Sequence, residues 1–94
     1  MDIHWSARAG RNLVEIRKYI AAEDPQAAAH VAERLSQAVE LLAGQAQMGR
    51  PGRVPGTREL VITGTPYVVA YAVTADSIEV IAVLHGNQKW PDSL

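Results

Sequence analysis

Residues 67–84 read Tyr67-Val68-Val69-Ala70-Tyr71-Ala72-Val73-Thr74-Ala75-Asp76-Ser77-Ile78-Glu79-Val80-Ile81-Ala82-Val83-Leu84. Two runs rich in β-branched and aromatic side chains flank Ala75-Asp76, and this pattern predicts two antiparallel strands joined by a tight connection. A strand with one wet face alternates apolar and polar residues, but here apolar residues occupy both parities of each run. Both strands are therefore expected at the centre of a sheet covered on two sides. A helical layer supplies one cover; the chain's own tail, a symmetry mate or a segment of another chain would each serve as the second.

Working outward, Gly64-Thr65-Pro66 is a turn and Arg58 to Thr63 a further strand, so residues 58–85 form a three-stranded meander. Upstream, Gln45 to Thr57 holds Gly49, Pro51, Gly52, Pro55 and Gly56 with no hydrophobic period, which reads as a loop. Before it lie two helices. Ala9, Leu13, Ile16 and Ile20 recur at helical spacing over residues 7–22, with Ser6 as the capping hydroxyl. Asp24-Pro25 then caps and opens a second helix, which buries Ala28, Val31, Leu35, Val39 and Leu42 and is expected to leave through a left-handed Gly44. The link between the helices is so short that they must be antiparallel neighbours. Asp2 to Trp5 alternates as a short strand. The expected architecture is α+β in the order β-α-α-β-β-β, a helical hairpin on a small, mostly antiparallel sheet, within one domain spanning residues 1–94.

Composition narrows the function. Hydrophobic residues make up 48% and charged residues 20%, the balance of an ordinary globular protein. The absence of cysteine removes disulfides and thiolate metal sites, and the N-terminus lacks the basic start and apolar run of a signal peptide. A cytoplasmic protein with no membrane association is expected. Net charge is −1, so no long-range field draws the chain onto a polyanion, and any nucleic-acid contact must be local. His4 and His30 have no companions at metal-ligand spacing, and neither a metal nor a cofactor is expected. Gly49-Arg50-Pro51-Gly52-Arg53 lacks the preceding strand and the Gly-Lys-Ser/Thr ending of a phosphate loop.

The residues at the joints say more than the element order. Trp5-Ser6, Leu13, Ile16, Tyr19-Ile20 and Asp24-Pro25 with Ala28 open the pattern. Gly49-Arg50-Pro51-Gly52-Arg53, Gly56-Thr57-Arg58-Glu59-Leu60, Pro66-Tyr67-Val68-Val69 with Tyr71, Leu84-His85-Gly86 and Trp90-Pro91 complete it. Over nearly the whole chain this resembles the RelE/ParE toxins of type II toxin–antitoxin systems, and the ParE-like branch most closely. The resemblance implies a toxin neutralised by a cognate antitoxin, of ParD or RelB type with a ribbon-helix-helix or similar start, in a hetero-oligomer. It also implies one of two targets. ParE-like members poison DNA gyrase by protein–protein contact, whereas RelE-like members cleave messenger RNA on the ribosome.

Metal-free RNA cleavage needs a base, an acid and cations for the phosphorane. His85 with Arg50, Arg53 and Arg58 would be that set. Two departures count against it: Tyr71 is followed by Ala72 where the ribonuclease branch commonly has arginine, and Asn87-Gln88 precedes Lys89 where arginine is common after His-Gly. The acidic pI of about 6.3 also suits ribosome entry poorly. Gyrase contact is therefore favoured, with cleavage and a toxin fold of decayed activity as alternatives. Arg50, Arg53 and Arg58 read as a local cationic patch for carboxylates or phosphates, and Lys89 and Trp90 join them as target- or antitoxin-binding residues. Trp90 is either an exposed anchor or a lid over the sheet, and His85 either functional or a strand-end hydrogen bonder. Arg58-Glu59 opens a strand read as a sheet edge that an antitoxin segment could extend.

Overall fold

A computed structural model describes all residues, Met1–Leu94. β1 (Asp2–Trp5) leads to α1 (Ala7–Ala21) and α2 (Pro25–Leu41), followed by β2 (Arg50–Pro51), β3 (Arg58–Val61), β4 (Tyr67–Val73) and β5 (Ser77–His85). The sheet order is β1-β5-β4-β3-β2. The meander is antiparallel, and β1 joins it parallel to β5, with Ile3 beside Ile78 and Trp5 beside Val80. The central position of β4 and β5 explains their apolar residues at both parities.

The helix starts follow from local chemistry. Ser6 Oγ accepts the Ala9 amide at 3.0 Å, and Asp24 Oδ1 accepts the Ala27 amide at 3.1 Å with Pro25 in the first helical position. The end of α2 differs from expectation. It stops at Leu41, and Leu42, Ala43 and Gly44 donate to Val39, Glu40 and Leu41, so a tightened turn satisfies the carbonyls that a left-handed Gly44 would have served. This turn also drives Leu42 fully into the core.

α1 does more than cover the sheet. β1 pairs with β5 only as far as Val80, which leaves the edge of β5 open beyond it. Ser6 Oγ donates to Ile81 O at 2.8 Å, at a β-bulge, and Asn12 Oδ1 accepts the Val83 amide at 3.1 Å. Side chains of a packed helix thus complete a strand edge that no strand reaches.

The main core lies between the hairpin and the sheet, with Ala9, Leu35, Val39 and Leu42 against Val69, Tyr71, Ile78 and Val80. Tyr71 is fully buried and its hydroxyl is bound twice, accepting the Gly49 amide and donating to Ala46 O, each at 2.9 Å. The 45–57 segment is therefore anchored. It also contains the two-residue β2, whose Arg50 and Pro51 pair with Glu59 and Arg58. A Cβ on Gly49 would lie 2.6 Å from that hydroxyl, so only glycine fits. Tyr71→Phe leaves the Gly49 amide and the Ala46 carbonyl unpaired and is expected to lower unfolding free energy by about 1–3 kcal/mol in urea titrations.

Candidate functional site

Glu59 points to the side of the sheet away from the helices, where it pairs across with Ala70, and it is only 2% exposed. A carboxylate so withdrawn from water needs donors from its own chain. Glu59 accepts from Arg50 Nη2 at 3.0 Å, the Arg53 amide at 2.7 Å, Arg53 Nε at 3.1 Å and Arg53 Nη2 at 3.2 Å. Burial alone would raise its pKa, but these hydrogen bonds and the Arg53 charge outweigh burial and hold it below the ordinary value. The carboxylate stays ionised and serves as the fixed centre of the site.

The Arg53 guanidinium also lies 3.7 Å from the centroid of the Trp90 ring. Trp90 packs on Val68 and Ala70, and its Nε1 donates to His85 O at 3.4 Å. Trp90 is therefore a lid over the second face rather than a free anchor, and the tail, with Leu94 packed nearby, supplies part of the second cover.

The expected cationic patch is not assembled as three free charges. Arg50 and Arg53 share one carboxylate, although their side chains remain 54% and 42% exposed. Arg58 faces the helical side opposite Tyr71 and donates to Gly49 O at 2.6 Å and Gln47 Oε1 at 3.0 Å. Lys89 is exposed and forms neither a hydrogen bond nor an ion pair with other residues of the chain. The edge expected at Arg58-Glu59 is closed by β2, and the open part begins at Leu60.

His85 lies apart from the arginines. Its ring meets Tyr67 edge-on, with centroids 5.8 Å apart on the helical side, while Arg50 and Arg53 gather on the other side of the sheet. Arg58 shares the helical side but sits two strands over and four residues along β4, an offset of roughly 13 Å in the strand direction alone. His85 Nδ1 accepts the Asn87 amide at 3.1 Å and its backbone amide donates to Gln88 Oε1 at 2.8 Å, so the strand-end role is met. The acid, base and cation set for RNA cleavage is not brought together. No three His, Asp or Glu side chains are grouped as metal ligands, and no helix is long and apolar enough to cross a membrane.

Two features escape a reading by residue type. Glu59 is a lone carboxylate in an apolar strand, with arginines nine and six residues upstream as the one hint. Tyr19, Glu15 and Tyr67 converge with His85 only through packing.

Comparison with known proteins agrees with this architecture. The family described as the ParE toxin of the type II toxin–antitoxin system parDE matches residues 3–90. The chain belongs to the ParE toxin family. Y4kP of Sinorhizobium fredii is 46% identical over 92 residues, covering 98% of this chain and 95% of that protein. Toxin RelE2 of Caulobacter vibrioides is 36% identical over 84 residues, covering 89% and 93%. A solved structure of the chromosomal ParDE system from P. aeruginosa superposes with a TM-score of 0.80 at 24% identity over 90% of this chain and 95% of that one, a likeness of fold. This ParE-family toxin thus keeps the family's helical hairpin on a five-stranded sheet.

Because the folded Glu59 pKa lies below its ordinary 4.5, its contribution to stability is complete above that pH and is lost as pH falls through the folded value. Urea unfolding is expected to show Glu59→Gln about 2 kcal/mol less stable at pH 7, a gap that closes on acidification below the ordinary value.

Proposed function

We propose that this toxin acts in the cytoplasm by protein–protein contact with DNA gyrase and is neutralised by a cognate antitoxin in a hetero-oligomer, with one toxin domain spanning residues 1–94. The observation that carries the choice of contact over catalysis is the sheet between His85 and the Arg50–Glu59–Arg53 cluster. A general acid on one face cannot serve a phosphate held by guanidinium groups on the other. Those guanidinium groups are already engaged by an ionised carboxylate, which competes with any phosphate they would bind.

The second face of the sheet suits a protein target. Arg50 and Arg53, the latter backed by the buried Trp90 ring, carry two charges against one carboxylate, and Lys89, next to Trp90 in the chain, is an exposed cation with no ion-pair partner. Aromatic and arginine side chains held in place by neighbours are the usual centres of interface energy. Antitoxin binding is supported by apolar side chains left at the flank of the hairpin: Leu41, Met48 and Val61 are 55%, 40% and 50% exposed. They border a groove of about 370 Å³ between α2 and the open end of β3. A partner segment laid there would cover them and extend the strand edge.

The test adds purified toxin to a gyrase supercoiling reaction and, in parallel, to a translation mixture whose message ends are mapped. Loss of supercoiling with intact messages is expected, and antitoxin restores supercoiling. New message ends with normal supercoiling would overturn the reading. Lys89→Glu, at an exposed side chain with no hydrogen bond or ion pair in the chain, is expected to raise the half-inhibitory toxin concentration about tenfold with no change in unfolding midpoint.

A further inference from the structure

A second concavity lies on the helical side, between α1 and the ends of β4 and β5, with a volume of about 470 Å³. Tyr67 forms its floor. The residue is only 8% exposed, and its hydroxyl, which has no hydrogen-bond partner in the chain, opens to water in the cleft and is free to meet a ligand. Burial and the neighbouring Tyr19 both push the Tyr67 phenol above its ordinary pKa, so it stays neutral. Tyr19 stands at the rim, 79% exposed, with its ring available to stack on a ligand in the cleft. Glu15 lines the same wall and belongs to no ion pair, and no lysine or arginine lines the cleft.

We infer that this cleft receives an arginine side chain of the antitoxin. The inference rests on the neutralisation reading above and names the contact that serves it. A guanidinium group is planar, stacks on tyrosine faces, and presents several N–H donors in a fixed fork. Here the Glu15 carboxylate supplies the opposite charge, Tyr19 the stacking face, and the Tyr67 hydroxyl an acceptor at the floor. The Asn12 and Gln88 side-chain amides, whose oxygens are engaged by Val83 and His85, keep N–H groups for carbonyls of the segment that carries the arginine. The sign of the charge selects the occupant: Glu15 is the one carboxylate lining this cleft and no lysine or arginine opposes it there, whereas the face assigned to the target carries two guanidinium groups against one carboxylate.

The experiment measures affinity for the product of the reading frame adjacent to the toxin gene, using purified full-length proteins. Glu15→Gln is expected to weaken binding about tenfold and to flatten its salt dependence. Tyr67→Phe deletes a hydroxyl without a partner in the free chain, so it is expected to weaken binding while leaving the unfolding midpoint unchanged or slightly raised. In parallel, N-acetyl-arginine amide is titrated against the free toxin by NMR, with the neutral N-acetyl-citrulline amide as control. Shifts confined to Tyr19, Tyr67 and His85, with arginine alone and reduced in Glu15→Gln, support the assignment. Antitoxin affinity unchanged in Glu15→Gln, or equal shifts from citrulline, overturns it while leaving neutralisation intact. If no adjacent product binds the wild-type toxin, the neutralisation reading fails and its named occupant falls with it, an outcome distinct from the other two because the free-toxin titration needs no antitoxin.

Discussion

Glu59 is almost wholly removed from water, and an ionised carboxylate in that position must be met by donors that its own chain provides. That requirement organises one side of the molecule. It draws Arg50 and Arg53 inward and folds the segment between them so that the Arg53 amide joins its side chain on one carboxylate oxygen. Arg53 is then held flat against Trp90, which seats the C-terminal tail on Val68 and Ala70. A glycine- and proline-rich loop, a sheet face and a chain end, distant in sequence, are fixed together by one acid.

Tyr71 performs the matching task from the other side. Its ring fills the core beneath α2 while its hydroxyl holds Ala46 and Gly49. The loop is therefore pinned at Gly49 by a hydroxyl from the helical side and at Arg53 by a carboxylate from the second face. Between these anchors Arg50 and Pro51 have little choice but to run beside β3, which is why a stretch with no strand pattern becomes β2. Proline is tolerated there because β2 is an edge, where a missing amide costs no ladder bond on the outer side.

How much of this is legible in sequence depends on the range of the interaction. Ser6 and Asp24-Pro25 cap by contacts three residues away, and the apolar positions of both helices follow a simple period, so those elements and their buried faces are readable directly. The end of α2 is not, because either a left-handed glycine or a tightened turn satisfies the same carbonyls and the burial of Leu42 decides between them. The site was the least legible part. Arg50, Arg53 and Arg58 look equivalent along the chain, but strand alternation sends Arg58 to one face and Arg50 to the other, and a carboxylate between arginines turns an apparent anion site into an internal salt bridge. Residue type identifies which groups carry charge; only the register shows whether that charge is free.

The same register places two patches of charge on separate faces of the sheet. A net charge of −1 hides an uneven distribution. Arg50 and Arg53 lie on the Trp90 side, whereas the α1 cleft is lined by Glu15, two tyrosines and His85, with no lysine or arginine. A polyanion such as RNA rewards a continuous cationic track, because each neutralised phosphate releases counterions. Two compact patches of opposite sign, on opposite faces of one sheet and each built around a fixed aromatic, offer no such track. They suit shape-matched protein surfaces, where charge sets partner and orientation and aromatic contact supplies the energy. The sheet that separates His85 from the arginines therefore also separates the two patches.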